Sequence, residues 1–153
     1  MADDKRIVVI GVDGSVRSEH AFDWYAEHLH KKKNYVIVIH SVEVHNVHPY
    51  PSVFVSPEVM QAEFEKEKSK SKKLEEYYTE RLKQRNIEGE FVIKNGKPGE
   101  AIVALANDMK TEMIVVGTRG HGKLRRTILG SVSDYIVHHA HCAVITVRPD
   151  VPL

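Results

Sequence analysis

Cysteine is all but absent from this 153-residue chain, Cys142 being the only one. A single thiol closes no intrachain disulfide and supplies no multi-thiolate zinc site, so a reducing compartment is the simplest setting. Excess charge of either sign is also lacking: 22 Lys and Arg stand against 21 Asp and Glu, a formal +1. That balance removes the broad positive field with which proteins hold nucleic acid or anionic membranes non-specifically. No window of the sequence approaches the ~20 apolar residues of a membrane span. Met1 leads into Ala-Asp-Asp-Lys-Arg rather than a basic stretch followed by an apolar one, so no targeting segment is expected. Together the absences predict a cytoplasmic protein that takes neither nucleic acid nor membrane as its partner.

What the chain does hold is apolar material, 42% of its residues. At this length that suffices for a core burying about 70% of the unfolded surface. One domain over residues 1–153 is expected, with no repeat or low-complexity tract.

The run Ile7-Val8-Val9-Ile10-Gly11-Val12 is almost continuously apolar and β-branched, which predicts a strand covered on both faces. Asp13-Gly14-Ser15 supplies a turn. Ser15 or Ser18 can cap the helix that follows, with an apolar face of Ala21, Tyr25 and Leu29 and with Trp24 and His28 beside them. A second buried strand starts at Tyr35 and ends near Val42. From Glu43 to Pro57 three prolines and mixed polarity read as a long excursion, and loops of such length are often functional. Between Pro57 and Arg85 there is no internal glycine or proline, and Leu74, Tyr78 and Leu82 recur at helical spacing after Met60 and Phe64. A long helix is predicted, with the charged stretch from Glu65 to Lys73 as a solvated part of it or a break.

Glu90 to Ile93 reads as the third strand, and Pro98 opens a helix whose buried face is Ala101, Ile102, Leu105, Ala106 and Met109. Met113 to Val116 form a fourth strand stopping at Gly117. A basic glycine-rich loop, a short helix from about Gly130 to His139 and a last strand from Ala143 to Val147 complete the chain. Five strands alternating with four helices select an α/β fold, a single open, doubly wound parallel sheet.

Ligands of such sheets bind beyond the carboxyl ends of the strands, where strand order reverses. From Met113 through Ser133 there is no carboxylate, yet Arg119, Lys123, Arg125 and Arg126 all lie there. Local charge therefore favours an anion. Glycines let backbone N–H groups approach phosphate oxygens, and a helix start adds unpaired N–H donors and a positive dipole end. Gly117 and Gly120 form one lip of a candidate phosphate cradle; Gly130, Ser131, Val132 and Ser133 form the other, with two hydroxyls. Two common phosphate motifs fit poorly. Gly117 to Lys123 matches the first seven positions of a P-loop, but Leu124 stands where a hydroxyl must hold magnesium. At the first strand only Gly11 and Gly14 are present, so the dinucleotide fingerprint is missing.

The pattern Gly117-x2-Gly120-x9-Gly130-Ser131, together with Val12-Asp13-Gly14-Ser15 after the first strand and the order of elements, resembles the ATP-binding branch of the universal stress protein family. The resemblance covers residues 5 to 148. It implies strand order 3-2-1-4-5 and ATP, or AMP or ADP, lying across strands one and four. Matched positions place Val12 and Asp13 at the nucleoside and Val42 at adenine through its backbone. Gly117, Arg119 and Gly120 would line ribose and phosphates, with Gly130, Ser131, Val132 and Ser133 closing on the phosphate tail. Asp13 is open to other roles: orienting ribose hydroxyls, holding magnesium with the nucleotide, or capping the first helix.

Ten histidines invite a metal reading. His138 and His139 are helix neighbours pointing about 100° apart, and His45 with His48 would need further ligands, so no metal site is expected. Cys142 opens an apolar strand and reads as a small buried hydrophobe. The last strand would be an edge of high β-propensity, and such edges tend to pair; the resemblance points likewise to a homodimer through it. Three functions stay open. The first is a regulatory ATP-binding module of the stress response without a catalytic residue. The second is a slow ATPase or phosphotransferase, and the third a nucleotide-free interaction module using the Glu43 to Pro57 loop and the charged helix.

Overall fold

A computed structural model describes residues 4–43, 56–118 and 129–149. The elements in order are β1 (Arg6–Gly11), α1 (Val16–His28), β2 (Asn34–Val42), α2 (Pro57–Gln84), β3 (Gly89–Asn95), α3 (Pro98–Asp108), β4 (Met113–Gly117), α4 (Ser131–His139) and β5 (Ala143–Val147). All five strands run parallel in one sheet ordered β3-β2-β1-β4-β5, the α/β topology expected. β1 is central. The chain winds outward from it to β2 and β3, then crosses back to β4 and β5, so the crevice between the carboxyl ends of β1 and β4 is a topological switch point.

Side chains alternate across the strands. Val8, Ile10, Val36 and Val38 pack under α1 and α2, through Phe22, Tyr25, Tyr78 and Leu82. Val9, Ile37, Ile39, Ile114 and Val116 pack under α3 and α4, through Ile102, Ala106 and Ile136. Burial on both faces is why the strands read as unbroken apolar runs. The Tyr25 hydroxyl accepts from Asn34 Nδ2 at 2.9 Å, and burial pushes its pKa up to about 12. Asp23 of α1 meets Arg81 of α2 and Arg85 at its C-cap, joining the two helices at their partly exposed flank.

Three helix faces differ from expectation. In α1 the buried positions are Ser18, Ala21, Phe22 and Tyr25. Trp24 and Leu29 pack against the margin of this core, while His28 is exposed and stacks on Trp24. In α3 the buried set is Gly99, Ile102, Val103 and Ala106, while Met109 is 40% exposed. Met109 already lies past the helix end, where the chain turns toward β4 through Lys110 with φ of 50°.

The third difference shapes the site. α2 runs unbroken through the charged stretch, and its 28 residues extend about 42 Å at 1.5 Å each. The longest strand, β2, has 9 residues and spans roughly 30 Å. The helix therefore overhangs the sheet. Its second half is seated, with Tyr78 and Leu82 buried, but Met60 and Phe64 remain 51% and 60% exposed. Since α2 follows β2 and runs back along the sheet, the overhang stands beyond the carboxyl edge.

Candidate functional site

β1 delivers Gly11, Val12 and Asp13 to that edge. Val12 extends the ladder, its N–H donating to the Ile39 carbonyl at 2.9 Å. The chain then turns at Gly14, with φ of +84°, a conformation that favours glycine. Asp13 Oδ1 accepts from the Ser15 N–H at 2.9 Å, and the Ser15 hydroxyl accepts from the Ser18 N–H at 3.2 Å. The cap of α1 is thus Ser15, and Asp13 shapes the turn before it.

At the end of β4, Gly117 approaches α1 closely. A Cβ there would lie 2.8 Å from the Arg17 carbonyl oxygen, so this glycine is required by packing between two backbones. Gly130 is different. It is the N-cap of α4, with φ of −62° and ψ of 159° that any residue adopts, and no side chain caps the helix. Its carbonyl accepts from the Asp134 N–H at 2.8 Å and from the Ser133 hydroxyl at 3.2 Å. Ser133 is buried and spends its proton inside the turn, whereas Ser131 is exposed. The N-terminus of α3 also lacks a side-chain cap at Lys97. By contrast α1 and α2 are capped by Ser15 and Ser56.

These segments converge. Val12, Asp13, Gly117, Gly130, Val132 and Ser133 share one small cavity of about 70 Å³. An open cleft of about 700 Å³ lies beside it, reached by Asp13, Ser131 and Val132. The first volume holds at most a few waters or part of a phosphate; the second is nucleotide-sized. Val42 belongs to neither wall, and its carbonyl accepts from the Gly96 N–H at 3.0 Å. Arg119 and Gly120 lie outside the described residues, as do His45, His48 and most of the 43–57 excursion.

Several residues of the cleft were not anticipated, and its charged and titratable side chains matter most. Glu67 and Lys70 reach it from the α2 overhang, Lys97 from the start of α3, and His40 from β2. His40 is buried, its Nδ1 3.1 Å from the Val12 carbonyl. A signal existed for His40, a lone ring in the apolar run from Tyr35 to Val42; none existed for Glu67, whose place depends on the length of α2. Asp13, Glu43, Glu67 and Glu100 outnumber Lys70 and Lys97 among the described cleft residues. An anion here would therefore draw on the two uncapped helix starts and on Lys70 and Lys97. Elsewhere, His138 and His139 bond back to the Asp134 and Tyr135 carbonyls at 2.8 Å. Cys142 is half-buried, and that burial pushes its thiol pKa up. No helix among the described residues is long and apolar enough to cross a membrane.

Comparison with known proteins agrees with this architecture. A putative universal stress protein of Staphylococcus epidermidis is 35% identical over 147 residues, covering 94% of this chain and 84% of that one. A universal stress protein family member from Arabidopsis thaliana, solved with AMP bound, superposes with a TM-score of 0.72 at 23% identity, covering 95% of this chain and 93% of that one. The universal stress protein of Archaeoglobus fulgidus in complex with dAMP gives 0.61 at 23% identity, covering 93% and 96%. At those identities the two structures show likeness of fold. The universal stress protein family model matches residues 5–148, and the chain belongs to that family.

Proposed function

We propose that this protein binds an adenine nucleotide, ATP or alternatively AMP or ADP, across the carboxyl ends of β1 and β4. The observation that carries the reading is the meeting of Gly117 and Gly130 beside an uncapped α4 and a nucleotide-sized cleft. Ser131, Val132 and Ser133 present main-chain donors to the phosphates, Val12 and Asp13 border the nucleoside, and Arg119 and Gly120 complete the lip. Solved family members carry AMP and dAMP, which supports the ligand class. Magnesium would enter with the phosphates. No group of three His, Cys, Asp or Glu able to hold a metal occurs among the described residues, so phosphate oxygens and water would supply most of its shell.

Binding rather than turnover is the event. Phosphoryl transfer needs a positioned nucleophile or water and carboxylate-held metal, and the sequence from Gly117 to Ser131 holds no carboxylate, which leaves only Asp13 or a distant group to serve. The protein is read as a cytoplasmic regulatory module of the stress response, in which nucleotide occupancy alters the surface that residues 117–131 offer to partners. Gently purified protein should release AMP, ADP or ATP on extraction, identified by mass spectrometry. An empty extract, with no heat of nucleotide binding in calorimetry, overturns the reading.

The same reading includes a homodimer through β5. The Thr118 N–H donates to the Val147 carbonyl at 3.1 Å, so Val147 turns its backbone groups toward β4. Alternate residues point oppositely along a strand, which directs those of Val144 and Thr146 to the open edge. Thr146→Pro removes an outward donor without touching the ladder to β4, a position where edge strands tolerate proline. It is expected to shift sedimentation from dimer to monomer, with the circular dichroism spectrum retained. A monomeric wild type at physiological salt, or a variant that still sediments as the wild-type dimer, refutes pairing through this edge.

A further inference from the structure

Several buried polar side-chain atoms lack a hydrogen-bond partner among the described residues: His40 Nε2, Ser71 Oγ, Arg81 Nε and Thr111 Oγ1. Only His40 of these lines the cleft. Its Nδ1 faces the Val12 carbonyl at 3.1 Å, and because a carbonyl only accepts, that nitrogen carries the proton. In the neutral ring Nε2 is then an acceptor. Facing it is another acceptor, Glu67 Oε1, at 3.8 Å. That separation is too long for a direct hydrogen bond, and two facing acceptors gain nothing from each other until a donor comes between them.

An amino group suits this pair better than a hydroxyl, because it has two hydrogens for two acceptors while a hydroxyl has one. The Glu67 side chain is 42% exposed on the helix overhang, free to rotate around an incoming group. Position argues the same way. His40 is on β2, two strands from β4, hence about 10 Å from the phosphate cradle. That is the base end of a bound nucleotide. We infer that His40 Nε2 and the Glu67 carboxylate together receive the exocyclic amine of the base and so select adenine over its 6-oxo analogue. This rests on the nucleotide-binding reading above and adds to it a specificity element supplied by α2.

The test compares ATP with ITP, in which an oxo acceptor replaces the amine, by isothermal titration of the full-length protein. The wild type should prefer ATP by tenfold or more. Glu67→Ala should lose about tenfold in ATP affinity with little change for ITP, and its melting temperature should change little because the side chain lies on the exposed overhang of α2. His40→Leu, if folded, should collapse the preference in the same way. Equal affinity of the wild type for ATP and ITP overturns this inference and leaves nucleotide binding standing. So does an ATP-to-ITP ratio that Glu67→Ala does not move, the result expected if a doubly protonated His40 simply paired with Glu67. Failure of the wild type to bind either nucleotide sinks both readings.

Discussion

Gly130→Asp should weaken nucleotide binding while leaving the protein slightly more stable. Gly130 adopts an extended conformation open to any residue and caps α4 without a side chain. Aspartate at an N-cap accepts from the second or third helical N–H and is worth about a few tenths of a kcal/mol over glycine, with a further favourable interaction with the helix dipole. The same carboxylate consumes the donors that a phosphate would use and sets a negative charge against it. Charge-assisted hydrogen bonds contribute roughly 1.5–3 kcal/mol each. Losing one or two of them is therefore expected to weaken ATP binding from about tenfold to more than about 1,000-fold. Thermal unfolding and calorimetric titration of the variant should move in opposite directions. An unchanged affinity would remove the α4 start from the site.

Gly117→Ala should act on the other side of the ledger, through the fold. The new Cβ would stand 2.8 Å from the Arg17 carbonyl oxygen and 3.2 Å from its carbon. Both are backbone atoms at the start of α1, so no side-chain rotation relieves the contact. Overpacking of this kind costs about 1–3 kcal/mol, which for a chain of this size lowers the melting temperature by roughly 3–10 °C. Affinity should fall as well, because α1 can retreat only by moving the Asp13 to Ser15 turn on which it begins. A variant that melts with the wild type would show that β4 and α1 are not in contact here. The two glycines of one motif thus separate by mechanism: Gly117 admits a neighbouring backbone, Gly130 leaves a helix end open.

Much of the site was legible because its parts are local. A turn at Asp13-Gly14-Ser15, a glycine closing β4 and a glycine-serine helix start at Gly130 each follow from short-range backbone chemistry. Their arrangement after β1 and β4 follows from the alternation of strands and helices. His40 was legible only as an anomaly, a titratable ring inside an apolar strand. Glu67 and Lys70 were indistinguishable from their neighbours in a charged stretch, since what selects them is where a 28-residue helix outruns a shorter sheet. The faces of α1 and α3 lie where expected through Ala21, Tyr25, Ile102 and Ala106, but their margins differ for a related reason. Periodicity gives the spacing of an apolar stripe, but its phase is settled by the element it packs against, which put Phe22 and Val103 in the core and left His28 and Met109 outside.

The amino-acid order alone determined the number and kind of elements, the covered sheet, and the glycine and serine positions able to meet an anion, because hydrophobic period, turn residues and caps act within a few residues of themselves. Only the tertiary structure decided that Gly117 is a packing glycine, that the overhanging half of α2 walls the cleft, and that His40 and Glu67 stand 3.8 Å apart. Those facts depend on distances between segments far separated in the chain, which long-range packing sets and local propensity does not encode.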